Sequence, residues 1–283
     1  MTRSLRIEFP GAVYHITSRG NAKKNIFRTD KDRNQFLFFL VKIMKKRNWR
    51  CHAYCLMSNH YHLVIETIDP TLSKGMQDLN GNYTQWFNAE HDIVGHIFQG
   101  RFKAFLIEEH FYLLNVVRYV VLNPIRANMT SDPADYPWSS YRATVGIEKA
   151  PPWLATKKIL EQFSHKKSQA KQQYKKFVLD GIGLPSPMDE ASKGGILGST
   201  QFVDEIRDKV GAKISEQDDD IILAQRLVGR PTLVQVFDGV KNREERDAAI
   251  MLALNHLLYS SVVVGRFLHL HSSTVRGIAK GKK

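Results

Sequence analysis

The tripeptide His60-Tyr61-His62, set between two apolar runs, constrains this chain more than any other stretch. A strand sends alternate side chains to opposite faces, so His60 and His62 point the same way. Two neutral imidazoles on one strand face are half of a divalent-metal site. The third ligand and the nucleophile of such a site are expected in a second segment, Arg118-Tyr119-Val120-Val121-Leu122-Asn123-Pro124.

Periodicity places these segments in a simple order of elements. Residues 12–18 read as a strand closed by Arg19-Gly20-Asn21. Residues 30–47 read as an amphipathic helix, with Phe36, Phe39, Leu40, Ile43 and Met44 at helical spacing and Lys42, Lys45 and Lys46 opposite. Residues 50–57 and 60–67 read as two strands joined at Ser58-Asn59. A second helix is expected over 71–89, a short strand over 104–108 and a third helix, carrying Tyr119, over 109–122. The order β-α-β-β-α-β-α is that of a ferredoxin-like, RRM-like α+β antiparallel sheet with helices on one face.

Near Pro151-Pro152 the pattern changes. Residues 158–176 read as one Lys/Gln-rich helix, and 181–198 as a Gly/Pro/Ser linker. From Phe202 the chain is helical again, interrupted by Asp218-Asp219-Asp220. Three regions are therefore expected: a catalytic domain over 1–150, a helical and linker segment over 151–200, and an all-α domain over 201–283.

A chain of 283 residues with 43% hydrophobic residues can build one large core or two small ones. Its net charge of +13 favours a polyanionic partner, through release of counterions from phosphates, with a membrane surface as the other candidate. No stretch approaches the ~20 apolar residues of a spanning helix. The opening residues lead into Glu8, Pro10 and Gly11, which is not the pattern of a signal peptide. Cys51 and Cys55 on one strand would stand ~13 Å apart, too far to pair, and are expected as buried reduced thiols of a cytoplasmic protein. There is no internal repeat and no Walker-type phosphate loop, so any chemistry should run without nucleotide hydrolysis.

Tyr119 and Asn123 are four residues apart and share one helix face. The Asn123 oxygen could complete a set of two imidazoles and one oxygen, which suits Mg²⁺ or Mn²⁺ without excluding Zn²⁺ or Ni²⁺. Tyr119 would then attack a DNA phosphodiester, giving a 5′-phosphotyrosine and a free 3′-hydroxyl. One phosphodiester replaces another, so the step is near balance and needs no ATP. The alternatives are ordinary. Tyr119 could be a core tyrosine, and Asn123 could cap a helix starting at Pro124. On the residues alone, the capping reading of Asn123 has the edge.

The chain resembles the REP-associated tyrosine transposases, domesticated relatives of the single-tyrosine HUH transposases of bacterial insertion sequences. The matching stretches are Tyr14-His15-Ile16-Thr17-Ser18-Arg19-Gly20-Asn21, Ala53-Tyr54-Cys55-Leu56-Met57-Ser58-Asn59-His60-Tyr61-His62-Leu63 and Phe98-Gln99-Gly100-Arg101-Phe102-Lys103. Arg118-Tyr119, Leu122-Asn123-Pro124-Ile125-Arg126-Ala127 and Tyr136-Pro137-Trp138-Ser139-Ser140-Tyr141 follow in family order. The resemblance implies that His60 and His62 hold the metal, that Tyr119 is the catalytic tyrosine and that Asn123 is the third ligand, where some relatives carry Gln. It implies cleavage and rejoining of single-stranded DNA at imperfect hairpins such as repetitive extragenic palindromes. Arg19, Asn21, Arg101, Lys103 and Arg126 sit in these motifs with chemistry suited to phosphates or unpaired bases. Trp138 and Tyr141 could stack on bases, but packing of the domain's last segment is the stronger expectation. Relatives work as dimers or as monomers, so a homodimer stays open, and the expected compartment is the cytoplasm, associated with the nucleoid.

Beyond residue 200 lies a helical region outside that resemblance. Helices are expected over 241–256, 260–268 and 272–280, with His269-Leu270-His271 as a turn. The run Leu270-His271-Ser272-Ser273-Thr274-Val275-Arg276 is similar to the recognition helices of helix-turn-helix domains in bacterial replication initiators. Ser272, Ser273, Thr274 and Arg276 would then meet duplex DNA, and Lys280, Lys282 and Lys283 its backbone. A small dimerising bundle is the alternative. Two rivals to the enzyme reading also follow. His60, His62 and Glu66 fit the H-x-H-x-x-x-E pattern of cupin barrels, although Tyr54 stands where that family has glycine. The other rival is a sequence-specific repressor that retains a relic HUH domain and no activity.

Overall fold

The computed structural model describes residues 7–191, 195–211, 233–240, 242–256, 259 and 261–279. The acidic Asp218-Asp219-Asp220 and the terminal Lys280, Lys282 and Lys283 lie outside the described residues, as do the expected helix starts at Lys241 and Ser260. The described residues fall into two compact units. One spans 8–191 with 195–199, and the other contains the chain from Thr200 onward.

The first unit is built on strands β1 (Ala12–Arg19), β2 (Trp49–Leu56), β3 (His60–Thr67) and β4 (Lys103–Ile107), all paired antiparallel. Their order, β2-β3-β1-β4, is that of the ferredoxin-like sheet read from the sequence. A two-residue strand β5 (Ile196–Leu197) adds a fifth, parallel to β4, inside the stretch expected to be a linker. It was not legible because two residues carry no alternation.

Helix α1 (Asp30–Arg47) and helix α2 (Leu72–Glu90) pack on one face of the sheet. Thr29 opens α1 with a capping box: its hydroxyl accepts from the Asp32 amide, and the Asp32 carboxylate accepts from the Thr29 amide at 2.8 Å. Asn48 closes α1 in the left-handed conformation, φ 53°. Tyr61 of β3 points into this layer against Phe36, 4.7 Å between rings, and donates to Asn80. Where α2 crosses β2, a Cβ at Gly75 would overlap the Trp49 indole, whose Nε1 donates to Thr71 at 3.0 Å. Gly75→Ala is therefore expected to cost about 1–3 kcal/mol, measured by urea unfolding. An unchanged midpoint would contradict the close crossing.

A second helical layer covers the other face, the one that carries His60 and His62. Every residue of β3 after His60 is buried, so neither face is left to solvent. Helix α3 (Glu109–Val121) lays Leu113, Val116, Val117 and Val120 onto Val13, Ala53, Cys55 and Val64 of the sheet. After the short helices α4 (Asn123–Arg126) and α5 (Tyr141–Val145), the expected single helix over 158–176 is in fact two, α6 (Thr156–Leu160) and α7 (Lys167–Leu179). The break comes where Ser164 turns its hydroxyl onto the Lys166 amide, an exchange that short polar side chains make outside helices. Ile159, Leu160, Ala170, Tyr174 and Val178 join the same core as α3, so residues 156–179 are built into the first unit. Tyr141 is buried 6.3 Å from the Tyr174 ring and Arg33 lies over the Trp138 ring, so both aromatics serve packing. Cys51 and Cys55 are free and buried, with burial holding the Cys51 thiol up at about 12.

The second unit contains helices α8 (Thr200–Gly211), α9 (Leu233–Val236), α10 (Arg243–Met251), α11 (Ser261–Leu268) and α12 (Ser272–Ala279). Leu233, Ile250, Ala253, Val264 and Val275 form its core. Among the described residues no helix is long and apolar enough to cross a membrane.

Candidate functional site

The site grows from the register of the central strands. On β1, residues 13, 15, 17 and 19 share a face; Thr17 pairs with His62 and Arg19 with His60. Lys103 of β4 pairs with Thr17 from the other side. Paired residues in an antiparallel sheet project to the same face, so Arg19, Lys103, His60 and His62 share one side and one end of it. The backbone of residues 97–99 is tied to this corner, since the Asn21 amide donates to the Ile97 carbonyl and the Gln99 amide to that of Arg19. Arg19, Asn21, Arg101 and Lys103 are all exposed.

Helix α3 brings Tyr119 to the histidines. Its ring stands edge-on to His62 at 5.9 Å and to His15 at 5.8 Å between centroids. Two segments distant in sequence thus converge. His60 and His62 are 5.0 Å apart, ring edge to ring face. Burial draws the His60 imidazole down to about 4, with the Arg19 cation adding to it. It draws His15 to about 4, and pulls His62 well below its ordinary range, with His15 and His60 reinforcing it. All three are neutral at pH 7, the form in which imidazole binds metal.

Asn123 neither caps the following helix nor stands idle. Its amide nitrogen donates to the Tyr119 carbonyl at 2.9 Å and to the Val120 carbonyl at 3.3 Å. Pro124 has no N–H to give to Val120, so the side chain supplies the missing donor and closes α3. The capping reading named the right kind of job at the wrong helix end. The Asn123 oxygen takes no part in these two bonds.

His15 is a site residue to which sequence reasoning gave no role. It is buried on β1 beneath α3, its ring nearly parallel to that of His62, 5.1 Å between centroids and 8° between planes, and 5.9 Å from that of Phe105. Its Nε2 lies 2.9 Å from His62 Nδ1, and its Nδ1 lies 3.1 Å from the Met188 sulfur. The available signal was a lone imidazole in the middle of an apolar strand, on the parity that pairs with His62.

Residues 181–187 form the outer wall of a cleft of about 190 Å³, lined by Asn115, Arg118, Tyr119, Arg126, Leu184 and Pro185. Arg126 lies over the Tyr119 ring at 5.2 Å and donates to the carbonyls of Leu184 and Pro185. Its guanidinium is thus engaged by this chain's own backbone rather than held out toward a ligand. Glu66, the acid of the cupin-like pattern, is tied to His52 at 2.9 Å, Lys158 at 3.0 Å and Arg50 at 3.2 Å, an ion-pair network that keeps it from ligating with the histidines.

The His60 and His62 imidazoles, 5.0 Å apart, are donors suited to a divalent ion. His62 Nε2 is a buried nitrogen with no hydrogen-bond partner, an atom that asks for a ligand. Among the described residues no three His, Cys, Asp or Glu side chains gather as a metal cage.

In the second unit, α11 and α12 are joined by His269-Leu270-His271, with His269 left-handed at φ 55°. A Cβ at Gly265 would fall 2.6 Å from the Leu270 carbonyl, so the turn folds tightly onto α11. Val275 is buried, while Ser273, Thr274 and Arg276 are exposed and Ser272 is partly so.

Residues 9–123 match the family model described as "Transposase IS200 like". The match begins before β1, takes in His60, His62 and Tyr119, and ends on Asn123. This segment of the chain is similar to the IS200-like transposases. A solved structure described as "Structure of the REP associates tyrosine transposase bound to a REP hairpin" is similar at 18% identity, covering 55% of this chain and 92% of that one, with a TM-score of 0.45. No curated protein matches the chain.

Proposed function

We propose that this protein is a metal-dependent single-strand DNA transesterase that cleaves and rejoins DNA at hairpin palindromes. The observation that carries the reading is the approach of Tyr119 to His62, within a segment that matches a transposase family. The Tyr119 oxygen attacks the scissile phosphorus and the bond from phosphorus to the 3′ oxygen breaks. The 5′ end stays on Tyr119 as a phosphotyrosine, and the phenolic proton is balanced on the released 3′-hydroxyl. A 3′-hydroxyl attacking the phosphotyrosine reverses the step and rejoins the strand.

His60 and His62 would hold the divalent ion, Mg²⁺ or Mn²⁺, together with the Asn123 oxygen. Such an ion, when bound, supplies Lewis-acid polarisation of a phosphate oxygen. Arg19 and Lys103 lie on the histidine face of the sheet, and with Asn21 and Arg101 they would hold the strand's phosphates or unpaired bases. Arg126 would serve first to position the Tyr119 ring, over which it lies. The second unit would grip duplex DNA beside the hairpin through Ser272, Thr274 and Arg276 at the start of α12.

A labelled single-stranded hairpin incubated with the protein and Mn²⁺ tests this reading. A denaturant-resistant protein–DNA adduct with a free 3′-hydroxyl product is the expected result. Sequence-specific binding with no cleavage would favour the repressor instead.

A further inference from the structure

The proposed chemistry leaves His15 without a part, although its Nε2 lies 2.9 Å from His62 Nδ1. Its surroundings dictate where protons sit. A thioether sulfur accepts hydrogen bonds and cannot donate them. The contact between His15 Nδ1 and the Met188 sulfur therefore places a proton on Nδ1 of His15. In a neutral ring, Nε2 is then bare and can only accept. The 2.9 Å contact with His62 must accordingly be donated by His62 Nδ1–H, which leaves His62 Nε2 bare. That Nε2 is the same buried nitrogen that lacks any hydrogen-bond partner. His15 is not itself offered as a ligand, because both its nitrogens are engaged.

His60 is treated in the same way by a different residue. The Asn59 amide nitrogen donates to the Lys23 carbonyl at 3.2 Å, which fixes the orientation of that amide. Its oxygen then accepts from His60 Nδ1 at 2.6 Å, leaving His60 Nε2 bare as well.

We infer that His15, locked by Met188, is a positioning residue that holds His62 as the Nδ1–H tautomer and so presents its Nε2 to a divalent ion, as Asn59 does for His60. This rests on the metal reading above. It assigns a purpose to the near-parallel setting of the His15 and His62 rings, 8° apart, with Phe105 beside His15, which fixes the ring plane as well as the proton. Metal-binding histidines elsewhere are held through their second nitrogen in this manner, and loss of that partner costs about 10–100-fold in metal affinity.

The test uses the full chain, ¹⁵N-labelled and metal-free, with tautomers read from long-range ¹H–¹⁵N correlations. His60→Gln and His62→Gln assign the two rings. The same samples are titrated with Mn²⁺ and followed by EPR. In the wild type both rings should be Nδ1–H. His15→Phe keeps a ring but removes the acceptor, so His62 should shift toward the Nε2–H form and Mn²⁺ should bind about tenfold or more weakly. His15→Gln, whose amide oxygen can accept, should restore both. Met188→Leu frees the His15 proton and should split His62 between tautomers, a readout that also serves if His15→Phe does not fold. An Nε2–H His62 in the wild type would overturn the inference, even where Mn²⁺ binding is intact. So would His15→Phe and Met188→Leu leaving both the tautomer and the Mn²⁺ affinity unchanged. A wild type with Nδ1–H His62 and no Mn²⁺ binding would instead overturn the metal reading, and with it the ligand role given to Nε2.

Discussion

Tyr119→Phe is expected to abolish the covalent protein–DNA adduct and to leave hairpin binding within about twofold of wild type. The substitution removes one oxygen from a half-buried ring whose contacts with His15, His62 and Arg126 are made by its faces and edges. The packing of α3 rests on Leu113, Val116, Val117 and Val120, which the change does not touch. A folded variant that binds DNA but forms no phosphotyrosine isolates the nucleophile from the scaffold. Gel-shift and adduct assays on one preparation measure both. An adduct at undiminished yield would mean that another side chain attacks.

The second large effect is expected at the paired imidazoles. His62→Ala should reduce cleavage at least about 100-fold, more than loss of an outer partner would cost. His60→Ala should act in the same direction, and EDTA should reproduce both in the wild type, reversed by added Mn²⁺. Arg19 and Lys103 hold their places through backbone pairing of β1 with β3 and β4, so DNA binding should survive these changes. Nicking at the wild-type rate in EDTA would contradict the role given to His60 and His62.

Much of this architecture was legible because its signals are local. Apolar runs closed by turn residues marked β1, β2 and β3, and the apolar stripe of residues 30–47 marked α1 to the residue. The histidine pair was legible because strand geometry alone puts His60 and His62 on one face. What could not be read depends on long-range pairing. His15 meets His62 only because β1 and β3 are neighbours, and a residue's partner across a sheet is not written in its own segment. Met188 reaches His15 from the stretch expected to be a linker, where β5 and a single turn of helix fold back onto the sheet. Asn123 shows a different limit. Its spacing from Tyr119 and its place before Pro124 each suggested a role, but only the geometry shows the amide closing α3 on the Tyr119 and Val120 carbonyls.

The central claim is that one phenol becomes linked to DNA. Mass spectrometry of the protease-digested wild-type adduct, formed on a single-stranded hairpin with Mn²⁺, reads the linkage directly. The account predicts one modified peptide, containing Tyr119 and carrying a nucleotide through its 5′ phosphate. A nucleotide on any other residue, or a nicked product with no protein attached, would contradict it.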